Sequence, residues 1–181
     1  MPIMDKRPYP LSEVYGLLEP GPVLLLTTRH AGRANVMTLS WHTMMEFEPP
    51  LVGCVLGPRD LSFEVLLQTR QCVLNIPARN LALEVVGCGN HSGRDVDKFE
   101  RFALEQQPAS QVDAPLIAQC HASLECRVVD TSLVERYGFF ILEVVQAWAR
   151  PDHASARTLH HRGHGAFMVA GETITQPSRM K

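Results

Sequence analysis

The chain has 181 residues, 45% of them hydrophobic and 20% charged, with a formal net charge of -2. It is long enough to bury a core within one domain, and its composition is that of an ordinary globular protein. The weak negative balance excludes a general binder of nucleic acid or membrane surfaces, since those partners are steered by positive charge.

The N-terminal "MPIMDKRPYPLSEVYGLLEPG" holds no uninterrupted apolar stretch of the kind a secretory leader needs. The apolar runs elsewhere are too short to span a bilayer. Five cysteines without C-x-x-C spacing suit buried thiols in a reducing cytoplasm better than a disulfide framework.

Pro8, Pro10, Pro20 and Pro22 punctuate the start, and Ser12 reads as the N-cap of a short helix reaching about Leu18. "PVLLLTTR" (Pro22–Arg29) reads as a strand, "HAGR" as a turn and "ANVMTLSW" as the partner strand. A turn at Pro49-Pro50 leads into a third strand, "LVGCVL". "RDLSFEVLLQTR" reads as a helix with Asp60 at its N-cap and with Phe63, Leu66 and Leu67 on one face. "QCVLNIP" is another strand. "ARNLALEVVGCGN" is a second helix, expected to stop on Gly87 or Gly89. "SGRDVDKFERFAL" reads as a turn and a short helix, followed by a polar connection from Gln106 to Pro115. "ASLECRVVD" and "GFFILEVVQAWAR" are two long strands, and the tail from Ala156 adds a further strand or hairpin. Strands dominate, helices are inserted, and no regular β-α-β-α alternation occurs. A mostly β, barrel-like fold is expected over a doubly wound sheet.

Three places draw attention as sites. A helix N-terminus exposes unpaired N–H groups and the positive end of a dipole. Arg59 just before such an end and Ser62 in its first turn make a phosphate cradle, or else an ordinary capped helix beside a solvated arginine. Thr38 and Ser40 on one strand face could bind an anion or the polar edge of a heterocycle, with Trp41 on the opposite face. Taken alone, Trp41 reads as core filling. Ser92-Gly93 allows an open turn that a ligand can approach closely, and Lys98 could supply charge there; the bland reading is a surface turn and a solvated lysine. "GCGNHSG" lacks the G-x-G-x-x-G spacing and closes a helix instead of opening one. His160, His161 and His164, with Cys88/His91 and Cys120/His121, have no zinc-binding spacing.

The ordered set "PGPVLLLTT…GRANVMTLSW…EPPLVGCVL…SFEVL…CVLNIP…VVGCGNHSGRDVDKFERFAL…APLI…LECRVVD…FFILEVV", over about residues 20 to 148, resembles the flavin reductase-like, FMN-binding split-barrel family that includes flavoredoxin. The resemblance rests on "N-x-M-T-x-x-W", a "PP" before a strand, "N-x-P", "SGR-x-x-DKF" and "LECR" in family order. It implies a split β-barrel homodimer that binds FMN near the subunit interface. Met37, Thr38, Leu39, Ser40 and Trp41 match the strand that touches the flavin. Ser92, Gly93 and Lys98 match the segment that reaches it, and Arg59 and Ser62 fall where relatives often bind the phosphate. Many family reductases carry "G-D-H-x-x-F-x-G-E-V" before the last long strand. Aligned on Glu143-Val144, Tyr137 takes the place of that histidine and Leu142 that of the glycine. The family's histidine lies near the contact between flavin and nicotinamide. Two activities therefore follow from the resemblance: an FMN-dependent reductase using NADH or NADPH, or a flavin-binding electron carrier or sensor without turnover of its own.

Overall fold

The computed structural model describes residues 6–14 and 21–178. Its strands are β1 (Arg7–Tyr9), β2 (Leu24–His30), β3 (Arg33–Leu39), β4 (His42–Phe47), β5 (Pro50–Val55), β6 (Gln71–Ile76), β7 (Gln106–Gln107), β8 (Leu116–Ile117), β9 (Ala122–Asp130), β10 (Phe139–Ala149), β11 (Leu159–His161) and β12 (Phe167–Val169). Its helices are α1 (Leu61–Thr69), α2 (Ala82–Asn90), α3 (Lys98–Arg101) and α4 (Val134–Tyr137). No described helix is long and apolar enough to cross a membrane.

Strand β10 organises the sheet. It pairs antiparallel with β9, β5 and β1. Side chains alternate across a strand, and Phe140, Leu142 and Val144 are buried on that period. The phase then moves to Ala147 and Ala149, and the pairing with β9 shifts register between Val144 and Gln146. A bulge of this kind bends the strand and re-aims its side chains. The eight-stranded sheet runs β3-β2-β6-β9-β10-β5-β4, with β1 beside β10. Although β3 and β4 follow each other in sequence, they form the two ends of this order. The barrel is therefore split, in line with the sequence expectation.

Each face of the sheet carries its own core. Leu24, Leu26, Leu39, Val52, Cys54, Cys72, Leu74, Leu124, Cys126, Phe140 and Leu142, with Leu66 of α1, belong to one cluster across six strands and that helix. Leu25, Val36, Val85, Cys88, Phe99 and Ile117 form a second cluster, which seats α2 and α3. Removing such side chains from water is the main term holding the sheet closed on its helices, about 2 kcal/mol for each large one. All five cysteines are free and buried.

Buried polar groups are paired across the sheet. Asn75 donates to Leu25 O and accepts from Ile117 N–H and Ser123 O–H, and Lys6 Nζ donates to Ser123 Oγ at 2.8 Å. Glu125 accepts from the Ser110 and Gln111 N–H groups and from Trp148 Nε1. It fastens the 108–112 loop onto the sheet.

Several expectations are corrected. The described part of the first helix is one 3-10 turn, Leu11–Glu13, with Pro10 at its N-cap, and the stretch up to Leu18 lies outside the described residues. Helix α2 runs through Gly87 and Gly89 to Asn90, and neither glycine has a positive φ. Gly87 serves packing instead, because a Cβ there would meet the Phe102 ring at 2.4 Å. In α1 the inner face is Ser62, Val65 and Leu66, while Leu67 is exposed. The "HTMMEF" segment is a separate strand, β4, and the polar connection contains the short strand β7.

His121 precedes β9 and is buried with its Nδ1 unpartnered. Burial, helped by the charges of Lys6, His153 and Arg150, lowers its pKa from 6.5 to about 4. The unfolded imidazole takes up a proton below about 6.5 and the folded one only below about 4. Stability is therefore full above pH 6.5 and falls as pH drops towards 4. His121 accounts for about 3 kcal/mol of that loss. Denaturant titrations between pH 7 and pH 4 should show this slope in the native chain and a flatter one in His121→Phe.

Candidate functional site

Strand β3 is an edge strand, so its outer backbone groups have no neighbouring strand. Lys98 Nζ donates to Val36 O at 2.8 Å, which fixes Val36 as outward-pointing. By the alternation of an antiparallel pair, the Thr38 N–H and C=O point to the same open side. Met37 packs against the inner core, while Thr38 Oγ1 donates to Val85 O of α2 at 2.5 Å.

Helix α1 begins at this edge. Asp60 is its N-cap, but the carboxylate turns back to accept from Gly57 N–H at 3.0 Å and makes no cap bond forward. The first-turn N–H groups of α1 are thus not capped by their own N-cap side chain. Ser62, 1% exposed, accepts a hydrogen bond from Asn35 Nδ2 at 2.9 Å. Arg59 stands exposed just before the helix, and its C=O accepts from Arg94 Nη1 at 3.0 Å.

The third wall is the 92–98 segment. Asp95 and Val96 N–H groups donate to Ser92 O, closing a tight turn. Asp97 caps α3 by accepting from the Phe99 and Glu100 N–H groups, which places Lys98 in the first turn with its stem directed inward. Lys98 is 5% exposed, and its ammonium bridges Val36 O and Cys88 O, each at 2.8 Å. Burial lowers its pKa, with Cys88 and Asp60 opposing the shift. Burial also pushes the Cys88 thiol up to about 11, so it is protonated at neutral pH. Gly93 must be glycine for space: a Cβ there would lie 2.0 Å from Asn35 Oδ1. Arg33 Nη2 donates to Gly93 O at 2.7 Å and holds the turn to β3.

These walls enclose a cleft of about 360 Å³. Of the residues picked from sequence, Met37, Thr38, Arg59, Ser62, Ser92, Gly93 and Lys98 line it together. Leu39, Ser40 and Trp41 do not. Leu39 is core, Ser40 lies beyond the end of β3 and is exposed, and Trp41 is 71% exposed. The strand ends before Ser40, so the expected pair of hydroxyls on one face is not formed, and Trp41 is not core. Tyr137 is 55% exposed outside this lining, with the Arg136 guanidinium 5.0 Å from its ring centroid. Asn35, the first residue of the "N-x-M-T-x-x-W" motif but not among the expected site residues, also lines the cleft. It stands two positions before Met37, on the same strand face.

Asp60 is the one acidic residue among those described that line the cleft, against Arg59 and Lys98. A helix N-terminus, an arginine and a hydroxyl at one end suit an anionic group. The open edge of β3 offers donors and acceptors to a heterocycle.

The chain is thus an open barrel of the split type with a polar cleft on its edge strand. The family model described as "Flavin reductase like domain" matches residues 17–167, and the chain belongs to that family. Its solved neighbours include FMN-binding flavin reductase-like split barrels. The chain is 31% identical over 182 residues to the Escherichia coli protein YddH, covering 93% of this chain and 96% of that one. An FMN-binding domain of a flavin reductases-like enzyme from Shewanella baltica superposes with a TM-score of 0.91 at 26% identity, over 98% of this chain and all of that one. Flavoredoxin of Desulfovibrio vulgaris shares the fold, with a TM-score of 0.78 at 20% identity, over 86% of this chain and 90% of that one.

The Lys98 ammonium joins β3, α2 and α3 by direct hydrogen bonds. Lys98→Met leaves two buried carbonyls unsatisfied and should cost about 2 kcal/mol. Urea denaturation of the ligand-free protein checks this; an unchanged midpoint would show the bridge to be dispensable.

Proposed function

We propose that the cleft binds FMN and that the protein is an FMN-dependent oxidoreductase drawing electrons from NADH, NADPH or a protein donor. The observation that carries this reading is the convergence of Arg59, Ser62, the Ser92-Gly93 turn and Lys98 on the open edge of β3. The residues fit such a ligand. Arg59, the Ser62 hydroxyl and the first-turn N–H groups of α1 would hold the phosphate. The Thr38 N–H and C=O would meet polar atoms of the ring or ribityl chain. Gly93 lets backbone come close where a side chain would clash with Asn35. Lys98 would bias the cleft towards negative charge. Bound FMN would supply the redox chemistry, taking electrons from a donor and passing them on. The chain itself would bind, orient and screen.

A homodimer is part of the proposal. Trp41, Met45 and Phe47 are exposed on and beside edge strand β4. Covering this apolar edge with a second copy would remove it from water and bring Trp41 into an interface. The free, buried cysteines suit a reducing cytoplasm.

A second reading has a specific observation behind it. Tyr137, at the place of the family's histidine, is solvent-exposed under the Arg136 guanidinium. An altered donor side favours a carrier or sensor that binds flavin without its own pyridine nucleotide turnover.

The test is an absorption spectrum of the purified protein, followed by NADH and then NADPH without oxygen. Oxidised-flavin absorption that bleaches with one nucleotide is expected and names the donor. Absorption that persists would select the carrier reading. A colourless protein that takes up no added FMN would overturn both.

A further inference from the structure

Asn35 lines the cleft as a buried polar residue held from two sides. It is 8% exposed on edge strand β3. Its Nδ2 donates to Ser62 Oγ at 2.9 Å, in the first turn of α1. Its Oδ1 lies so close to Gly93 that a Cβ there would come within 2.0 Å. One short carboxamide therefore spans from the α1 terminus to the Ser92-Gly93 turn.

The sense of the first bond has a chemical consequence. A serine hydroxyl carries one proton and two lone pairs. An amide N–H can only donate, so Asn35 occupies a lone pair of Ser62 and leaves the Ser62 proton for another acceptor. A phosphate oxygen is an acceptor only. A carboxylate at position 35 would reverse the bond: Ser62 would donate to it, and its proton would be lost to any ligand.

We propose that Asn35 is the positioning residue that makes the cleft selective for a phosphorylated ligand, by fixing Ser62 as a hydrogen-bond donor and setting the distance between α1 and the Ser92-Gly93 turn. The proposal rests on the FMN reading of the cleft. Asn35 acts through Ser62 and Gly93 and not on reacting atoms.

FMN and riboflavin separate this role from mere folding, since riboflavin has the same ring and ribityl chain without the phosphate. Dissociation constants for both are measured by flavin fluorescence on the native chain and on Asn35→Asp, which is isosteric. Asn35→Asp should weaken FMN by about thirtyfold, from one lost hydrogen bond and an added like charge, while riboflavin changes by less than about threefold. Retained FMN affinity would overturn the proposal, and so would an equal loss for both ligands. A native chain that binds neither flavin overturns the FMN reading itself and the proposal with it.

The contact with Gly93 is tested without ligand. Gly93→Ala should lower the melting temperature of the native chain and lower it less when Asn35→Ala is already present. Equal losses in the two backgrounds would show that Asn35 does not set the turn.

Discussion

The cleft depends on a cation held out of water by backbone. Lys98 places its ammonium between the carbonyl of an edge strand and that of a helix's last turn. An edge strand is otherwise a liability, because its unpaired N–H and C=O groups invite another chain. Here α2 and α3 are drawn against β3 by one buried ammonium, by Thr38 Oγ1 on Val85 O and by Arg33 on Gly93 O. The edge is thereby protected along part of its length and left open at Thr38. The same bonds that cover part of the edge shape the cleft.

The rest of the barrel keeps that edge in place. β10 carries the long pairings, and its bulge turns the sheet so that six strands contribute to one inner cluster. The Asn75–Ser123–Lys6 network and the Glu125 anchor satisfy polar groups that burial would otherwise penalise. Helix α1 follows β5, and so its N-terminus meets β3 near the middle, where Asn35 and Ser62 join.

Much of this was legible in the residues. The compact β-branched and apolar runs at 24–30, 50–55 and 71–76 are buried on both faces and read as strands directly. Helix-end chemistry singles out Arg59 and Ser62, strand-face hydroxyls Thr38, and an open turn Gly93 and Lys98, but each had a bland alternative, and only the resemblance grouped them at one site. β4 was hidden because "HTMMEF" is mostly exposed and lacks the alternation of a half-buried strand. Trp41, taken alone, reads as core because large aromatics usually are; nothing in a single sequence says that a strand will be an edge. Asn35 opens the "N-x-M-T-x-x-W" motif, but its contacts are not legible there, because a polar residue in a strand looks like the solvent-facing half of an alternation and its partners Ser62 and Gly93 are distant in the chain. Gly87 and Gly89 suggest helix stops by their type, whereas a close-packed Phe102 ring and the Thr38 side chain are what they face.

A crystal structure of the protein grown with FMN tests the central claim most directly. The expected result is FMN in the cleft between β3, α1 and the 92–98 turn, with its phosphate against Arg59 and Ser62. FMN bound elsewhere on the molecule, with this cleft empty, would contradict it.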